Sequence, residues 1–279
     1  MGTPSENLKR ALEAAFEDFN HEKERRLDPI SLVYPYNHPK DQEVVAFLIA
    51  LLSYGNVRTI IQSGLRVLKP LGPHPYEYLI SKKPLTLWPD FKHRFTTGKD
   101  IEILTHWMRG ALITHSSLEN LFLSFKLSPE YLMKENLSFF VKGLWKQSLP
   151  KELKFDLTQR NRNLKYLLSD PEQGSACKRL NMFLRWVVRP KDGIDLGLWE
   201  KVSPRELMLP IDTHLLKTLR RLRWVQSEQA TWKTVEIATR KLREISIEDP
   251  IKYDFALCHL SMSGGNIKDY QSLKARGDR

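Results

Sequence analysis

Nine consecutive residues constrain this chain more than any other feature. From Val44 to Leu52 it reads Val-Val-Ala-Phe-Leu-Ile-Ala-Leu-Leu, with no polar side chain in any direction. A helix that is apolar all round has no face for water, so it must sit at the centre of other packed elements. The stretch is too short to cross a bilayer, which takes roughly 20 apolar residues. Asp41 is expected to open this helix and Gly55 to end it in a left-handed cap. Asn56 then caps the next helix, which runs toward Leu68 and stops at Pro70, Gly72, Pro73 and Pro75.

Around this centre the pattern stays helical. Leu8, Leu12, Ala15, Phe16 and Phe19 fall at helical spacing within an expected helix over 5–26. Pro29, Pro35 and Pro39 make 27–40 an extended connection. Further helices are expected over 100–126, 136–147 and 163–169. Alternating strand patterns are scarce, and no internal repeat or low-complexity tract is present. The fold class is therefore all-α. A chain of 279 residues suffices for one large domain or two subdomains sharing a core.

Charge narrows the partner. The net charge is +11, and it is unevenly spread. Residues 1–40 are near neutral, whereas residues 141–190 carry eleven basic and four acidic side chains. Lys217, Arg220, Arg221 and Arg223 form a second basic run with no acid among them. Two basic clusters flanking one segment suit a polyanion, nucleic acid first, better than a uniform solubility coat. The two cysteines, Cys177 and Cys258, are too few for an iron–sulfur cluster or a structural zinc. Met1 to Arg10 lacks the apolar run of a secretion signal. The expectation is a reduced, cytoplasmic, nucleoid-associated chain with no membrane contact.

Two segments carry candidate chemistry. A turn rich in helix stoppers, Pro171 to Ser175, runs into a helix whose Leu180, Phe183, Leu184, Val187 and Val188 form an inward stripe. Ser175 is a plausible cap. Lys178 and Arg179 then occupy the first turn, where the positive end of the helix dipole acts against a cation. That suits a functional amine, although two solvated basic residues remain the plainer alternative. In the second segment, Pro210 to Leu222, Asp212 is a strong cap for a helix with Leu215, Leu216, Leu219 and Leu222 on its inner face. A cap worth about 1 kcal/mol could be its whole role. Capping does not exclude chemistry, since one oxygen can cap while the other faces a cleft.

Pro-Ile-Asp-Thr-His-Leu at 210–215, followed by Arg220, Arg221 and Leu222, resembles the Val-Asp-Thr-His-Val type motif of the endonuclease III and related helix-hairpin-helix DNA glycosylases. Lys178 with its apolar helix resembles the lysine that follows the hairpin in bifunctional members. The helix Glu43 to Ser53, leading into Tyr54-Gly55-Asn56, is similar to their central helix. The chain also resembles a bacterial family of conserved proteins of the DUF2400 type, on Ser175 to Trp186, Pro210 to His214 and Asp249 to Leu257. Three departures stand out. The hairpin has one glycine, Gly174, where relatives have two. Lys178 and Asp212 lie 34 positions apart, with an insert like that of archaeal-type 8-oxoguanine glycosylases. The cysteine ligands of an iron–sulfur cluster are missing.

The resemblance implies two helical subdomains with a cleft between them, formed by residues 27–279, and an N-terminal helix, residues 1–26, packed on that core. It implies a base-excision repair enzyme acting on duplex DNA with a damaged base, oxidised guanine among the candidates, or an abasic site. Lys178 would attack the sugar and form a Schiff base, Asp212 would stabilise developing positive charge, and β-elimination would follow. No metal or organic cofactor is required, and the chain would act as a monomer. Gly174, Ser175, Arg179, His214, Lys217, Arg220 and Arg221 would contact DNA. Tyr54, Asn56, Trp186, Tyr253 and His259 would line the pocket for a flipped base. A DNA-binding module of the same fold without catalysis is the alternative, and an RNA-associated helical protein the third reading.

Overall fold

The computed structural model describes residues 4–19, 22–26, 28–124, 133–262 and 267. Among them are thirteen α-helices and a single two-stranded hairpin, so the chain is all-α. None of the described helices is long and apolar enough to cross a membrane. Two compact units emerge: Met1–Arg26 with Gly174–Arg279, and Leu27–Gln173. The first begins with α1 (Pro4–Phe19) and α2 (Glu22–Arg25). These replace the single helix expected over 5–26, and residues 20 and 21 between them lie outside the described residues.

The unit Leu27–Gln173 is built around the apolar segment. α3 (Pro39–Leu52) is buried from Val44 to Leu52 without a break. It starts two residues before the expected Asp41, capped by His38 with Pro39 in the first turn. Asp41 serves elsewhere: its Oδ1 accepts the Tyr76 amide at 2.8 Å, near the start of α5 (Pro75–Ile80). Asn56 caps α4 (Val57–Leu68) as expected, accepting the Arg58 amide at 2.9 Å. The predicted helix over 100–126 is broken. α6 (Gly98–His115) ends at Ser116, which adopts a left-handed φ of 67°. α7 (Leu118–Ser124) follows, its first amides held by the buried carboxylate of Glu43 at 2.9 and 3.0 Å. Residues 125 and 126 lie outside the described residues.

α8 (Met133–Trp145) and α9 (Lys151–Leu167) complete the helices of this unit. α9 begins twelve residues before the expected start at 163, because its first turns carry few apolar residues to mark a period. The hairpin pairs β1 (Lys92–His93) with β2 (Thr96–Thr97) and leads straight into α6. Gly98 makes that junction possible, since a Cβ there would lie 1.6 Å from the Trp88 carbonyl oxygen.

The other unit also holds α10 (Lys178–Val188), α11 (Thr213–Arg221), α12 (Trp232–Arg243) and α13 (Asp254–Met262). α13 is the element on which both α1 and α11 lie. Ala11, Leu12 and Ala15 are buried on α1. Glu13 reaches Lys252 Nζ and the Tyr253 hydroxyl, each at 2.7 Å, tying the N-terminal helix to the start of α13.

Candidate active site

The loop that delivers Lys178 is fixed by backbone pairing. Gly174 has φ +81°, a region open to glycine, and its carbonyl accepts the Trp232 amide at 3.0 Å. Ser175 pairs antiparallel with Thr231. The helix starts later than expected. Cys177, not Ser175, holds the capping position, and Ser175 Oγ accepts the Cys177 amide at 3.2 Å. Cys177 adopts φ 47°, ψ 39°, a left-handed conformation that costs a side-chain-bearing residue about 1–2 kcal/mol. Asn181 compensates in part by donating to the Ala176 carbonyl at 3.0 Å. The strained turn places Lys178 as the first residue of α10, where the half-buried side chain rests its Nζ 3.1 Å from Met182 Sδ one turn on.

Asp212 divides its oxygens as the sequence suggests it could. Oδ1 accepts the amides of His214 and Leu215 at 2.9 and 2.8 Å, closing the start of α11. Oδ2 is left for Cys258 on α13, whose Sγ lies 3.7 Å away. Burial, then the Asp212 and Asp254 carboxylates, push the Cys258 thiol well up, so it stays protonated and donates to Asp212.

Asp254 completes the group. It is buried, and Oδ2 receives Arg185 Nη1 at 2.5 Å, while Oδ1 has no hydrogen-bond partner among the described residues. Burial pushes its carboxyl up to about 6, against the pull of Arg185 and Lys178 and with a small push from Asp212. Lys178 and Asp212 thus both act electrostatically on Asp254 and Cys258. Three helices bring these residues into one cluster.

Behind the cluster runs a buried ion network that sequence reasoning missed. Arg185 Nε meets Asp195 at 3.2 Å. Arg189 also binds Asp195, and reaches Asp192 at 3.0 Å and Asp249 at 2.9 Å. Three neighbouring carboxylates, foremost Asp195, raise the Arg189 guanidinium further despite its burial. Arg185 and Arg189, one turn apart and flanking the apolar Trp186, Val187 and Val188, are the signal for it, because buried guanidinium groups need carboxylates.

The remaining expected site residues are scattered in role. Lys217, Arg220 and Arg221 line a concavity of about 360 Å³ on the exposed side of α11, next to the exposed His214. Arg220 also meets Glu228 at 3.2 Å, an exposed pair of little energetic weight. Arg179 is only 9% exposed, because α10 is buried on every side from Arg179 to Val188, so little of it is open to a phosphate. Trp186 and Tyr253 are both fully buried in packed interior, Trp186 on α10 and Tyr253 bound to Glu13. His259 lies half-buried, its ring 4.2 Å from that of Phe255. Tyr54 and Asn56 belong to the other unit, Tyr54 donating to the His93 carbonyl at 2.9 Å.

A family model described as "Protein of unknown function (DUF2400)" matches residues 28–263. No curated protein matches the chain, and no solved structure matches it.

Proposed function

The chain belongs to the DUF2400 family, and on that premise we propose that it is a base-excision DNA glycosylase of the helix-hairpin-helix type with an associated lyase step. The hairpin in this reading is Pro171 to Ser175, and the substrate is duplex DNA carrying an oxidised guanine or an abasic site. The observation that carries it is the Asp212 carboxylate, whose Oδ2 is not spent on capping and lies 3.7 Å from Cys258 Sγ on α13, with Lys178 at the start of α10 near enough to act electrostatically on the same thiol.

The chemistry assigns each group a task. The neutral amine of Lys178 attacks the sugar C1′ and the glycosidic bond breaks, its electron pair leaving with the base, which takes up a proton. The sugar ring opens and the amine becomes a Schiff base, from which β-elimination expels the 3′ phosphate. Asp212 Oδ2, the oxygen not spent on capping, offers negative charge to the cationic sugar as it develops. Lys217, Arg220 and Arg221 supply phosphate contacts. Unstacking the target costs a few kcal/mol, which such contacts offset. A panel of duplexes with single lesions, assayed for base release under single-turnover conditions, tests the reading. Excision of at least one lesion supports it, and none across the panel removes catalysis.

A second reading, a non-catalytic DNA-binding protein, is favoured by the single glycine of the hairpin. Fewer glycines let fewer backbone amides approach a phosphate closely. Salt-sensitive duplex binding without excision selects it.

A further inference from the structure

Among the large apolar side chains that the unit Leu27–Gln173 exposes, two aromatic rings meet. Phe95 is 39% exposed, Tyr166 44% and Val57 39%. Phe95 sits in the two-residue turn of the hairpin, after Arg94 at φ 54°. Tyr166 projects from α9, with its ring centre 4.5 Å from that of Phe95 at 83°. Tyr54 stacks on Phe95 from behind, at 5.1 Å and 19°. The assembly is held rigidly. The Tyr54 hydroxyl donates to the His93 carbonyl and lies 2.6 Å from Thr96 Oγ1, and Asn163 donates to the Phe95 carbonyl at 3.2 Å. The His93 ring is pinned by Ser63 at 2.9 Å and by the Tyr54 carbonyl at 3.1 Å.

The segments that carry the rings are rich in basic residues. Residues 54–58, 92–97 and 160–166 contain Arg58, Lys92, Arg94, Arg160, Arg162 and Lys165, and no Asp or Glu. Arg160 is engaged by Thr97 and Asp100. The other five are exposed and make no ion pair among the described residues. Arg162 shares a helix face with Tyr166, four positions on. The Arg94 side chain lies along Gly55, where a Cβ would meet its Nη1 at 3.4 Å.

We propose that Phe95 and Tyr166 form a stacking platform for an unpaired base of DNA, the base lying on one ring and against the edge of the other, with its flanking phosphates held by Arg58, Lys92, Arg94 and Arg162. Exposed aromatic rings set among basic residues are the combination that binds nucleotides released from a duplex: rings take bases of any sequence, cations take the backbone. The rigidity of the rings lowers the ordering cost of binding. The inference rests on the DNA-binding reading above, but it concerns different residues from those of the Lys178 cluster.

The test compares a plain duplex with the same duplex carrying one unpaired 2-aminopurine. Wild type is expected to prefer the bulged duplex by about 10-fold and to quench the probe by stacking. Phe95→Ala and Tyr166→Ala should each lose most of the preference and the quenching, with unchanged affinity for the plain duplex. Phe95→Trp should retain both. Plain-duplex binding without preference overturns the platform and leaves the DNA reading standing. Binding to neither duplex overturns both. A preference that survives Phe95→Ala, a stronger preference for an unpaired RNA base, or a change in sedimentation of the free protein on Phe95→Ala each overturns the proposal. The last would assign this surface to contact between copies of the chain.

Discussion

Cys258 Sγ lies 3.7 Å from Asp212 Oδ2, on the oxygen that takes no part in capping α11. The relationship separates a structural from a chemical role within one carboxylate. Asp212→Asn should keep much of the cap, because asparagine caps nearly as well as aspartate. Thermal unfolding should change little, while single-turnover excision falls about 100-fold or more as the charge facing the sugar disappears. Asp212→Ala should also remove the cap, at a cost of about 1 kcal/mol. Full activity in the Asn variant would reduce Asp212 to a cap.

The buried Asp254 gives the fold a pH signature. Its carboxyl rises to about 6 from an ordinary value of 3.8, so the folded state holds the proton more tightly than the unfolded state between those limits. The stability it contributes is therefore greatest near pH 4 and declines as pH rises through about 6. Asp254→Asn, measured by urea unfolding at several pH values, should cost more at pH 4 than at pH 7. A cost that grows with pH would mean that the Arg185 ion pair outweighs burial.

Arg220 and Arg221 sit on the exposed side of α11, beside Lys217. Replacing both with Glu should weaken duplex binding similarly for all sequences. The slope of log affinity against log salt should flatten by about 0.9 for each phosphate that is no longer neutralised. Folding should be nearly unaffected, because neither side chain is buried. Binding that ignores both the reversal and the salt would take this face out of the interface.

Much of the fold is legible in the chain. The apolar run 44–52 forecasts the buried centre, and Asn56 and Asp212 forecast two helix starts, because capping is local chemistry. The start of α10 falls two residues later than Ser175 suggests, since nothing local reveals that Cys177 turns left-handed. Its conformation depends on pairing between Gly174, Ser175 and the distant residues Thr231 and Trp232. Asp254 and Cys258 are invisible as site residues for a related reason. Their roles come from burial beside Arg185 and Asp212, and burial of α13 depends on α1 and α11 packing over it. Arg179 and Trp186 show the converse: their place in a suggestive motif says nothing of exposure, and α10 is buried on every side from Arg179 to Val188.

Lys178, first in α10 after a strained turn, is the residue on which the account depends. Borohydride reduction during incubation with abasic-site DNA tests it most directly, because it converts a transient Schiff base into a stable covalent adduct. Wild type should be trapped. Lys178→Gln should give no adduct while binding the same DNA nearly as well, since it removes one charge among many. Trapping of Lys178→Gln at the wild-type rate would contradict the account and assign the nucleophile to another amine.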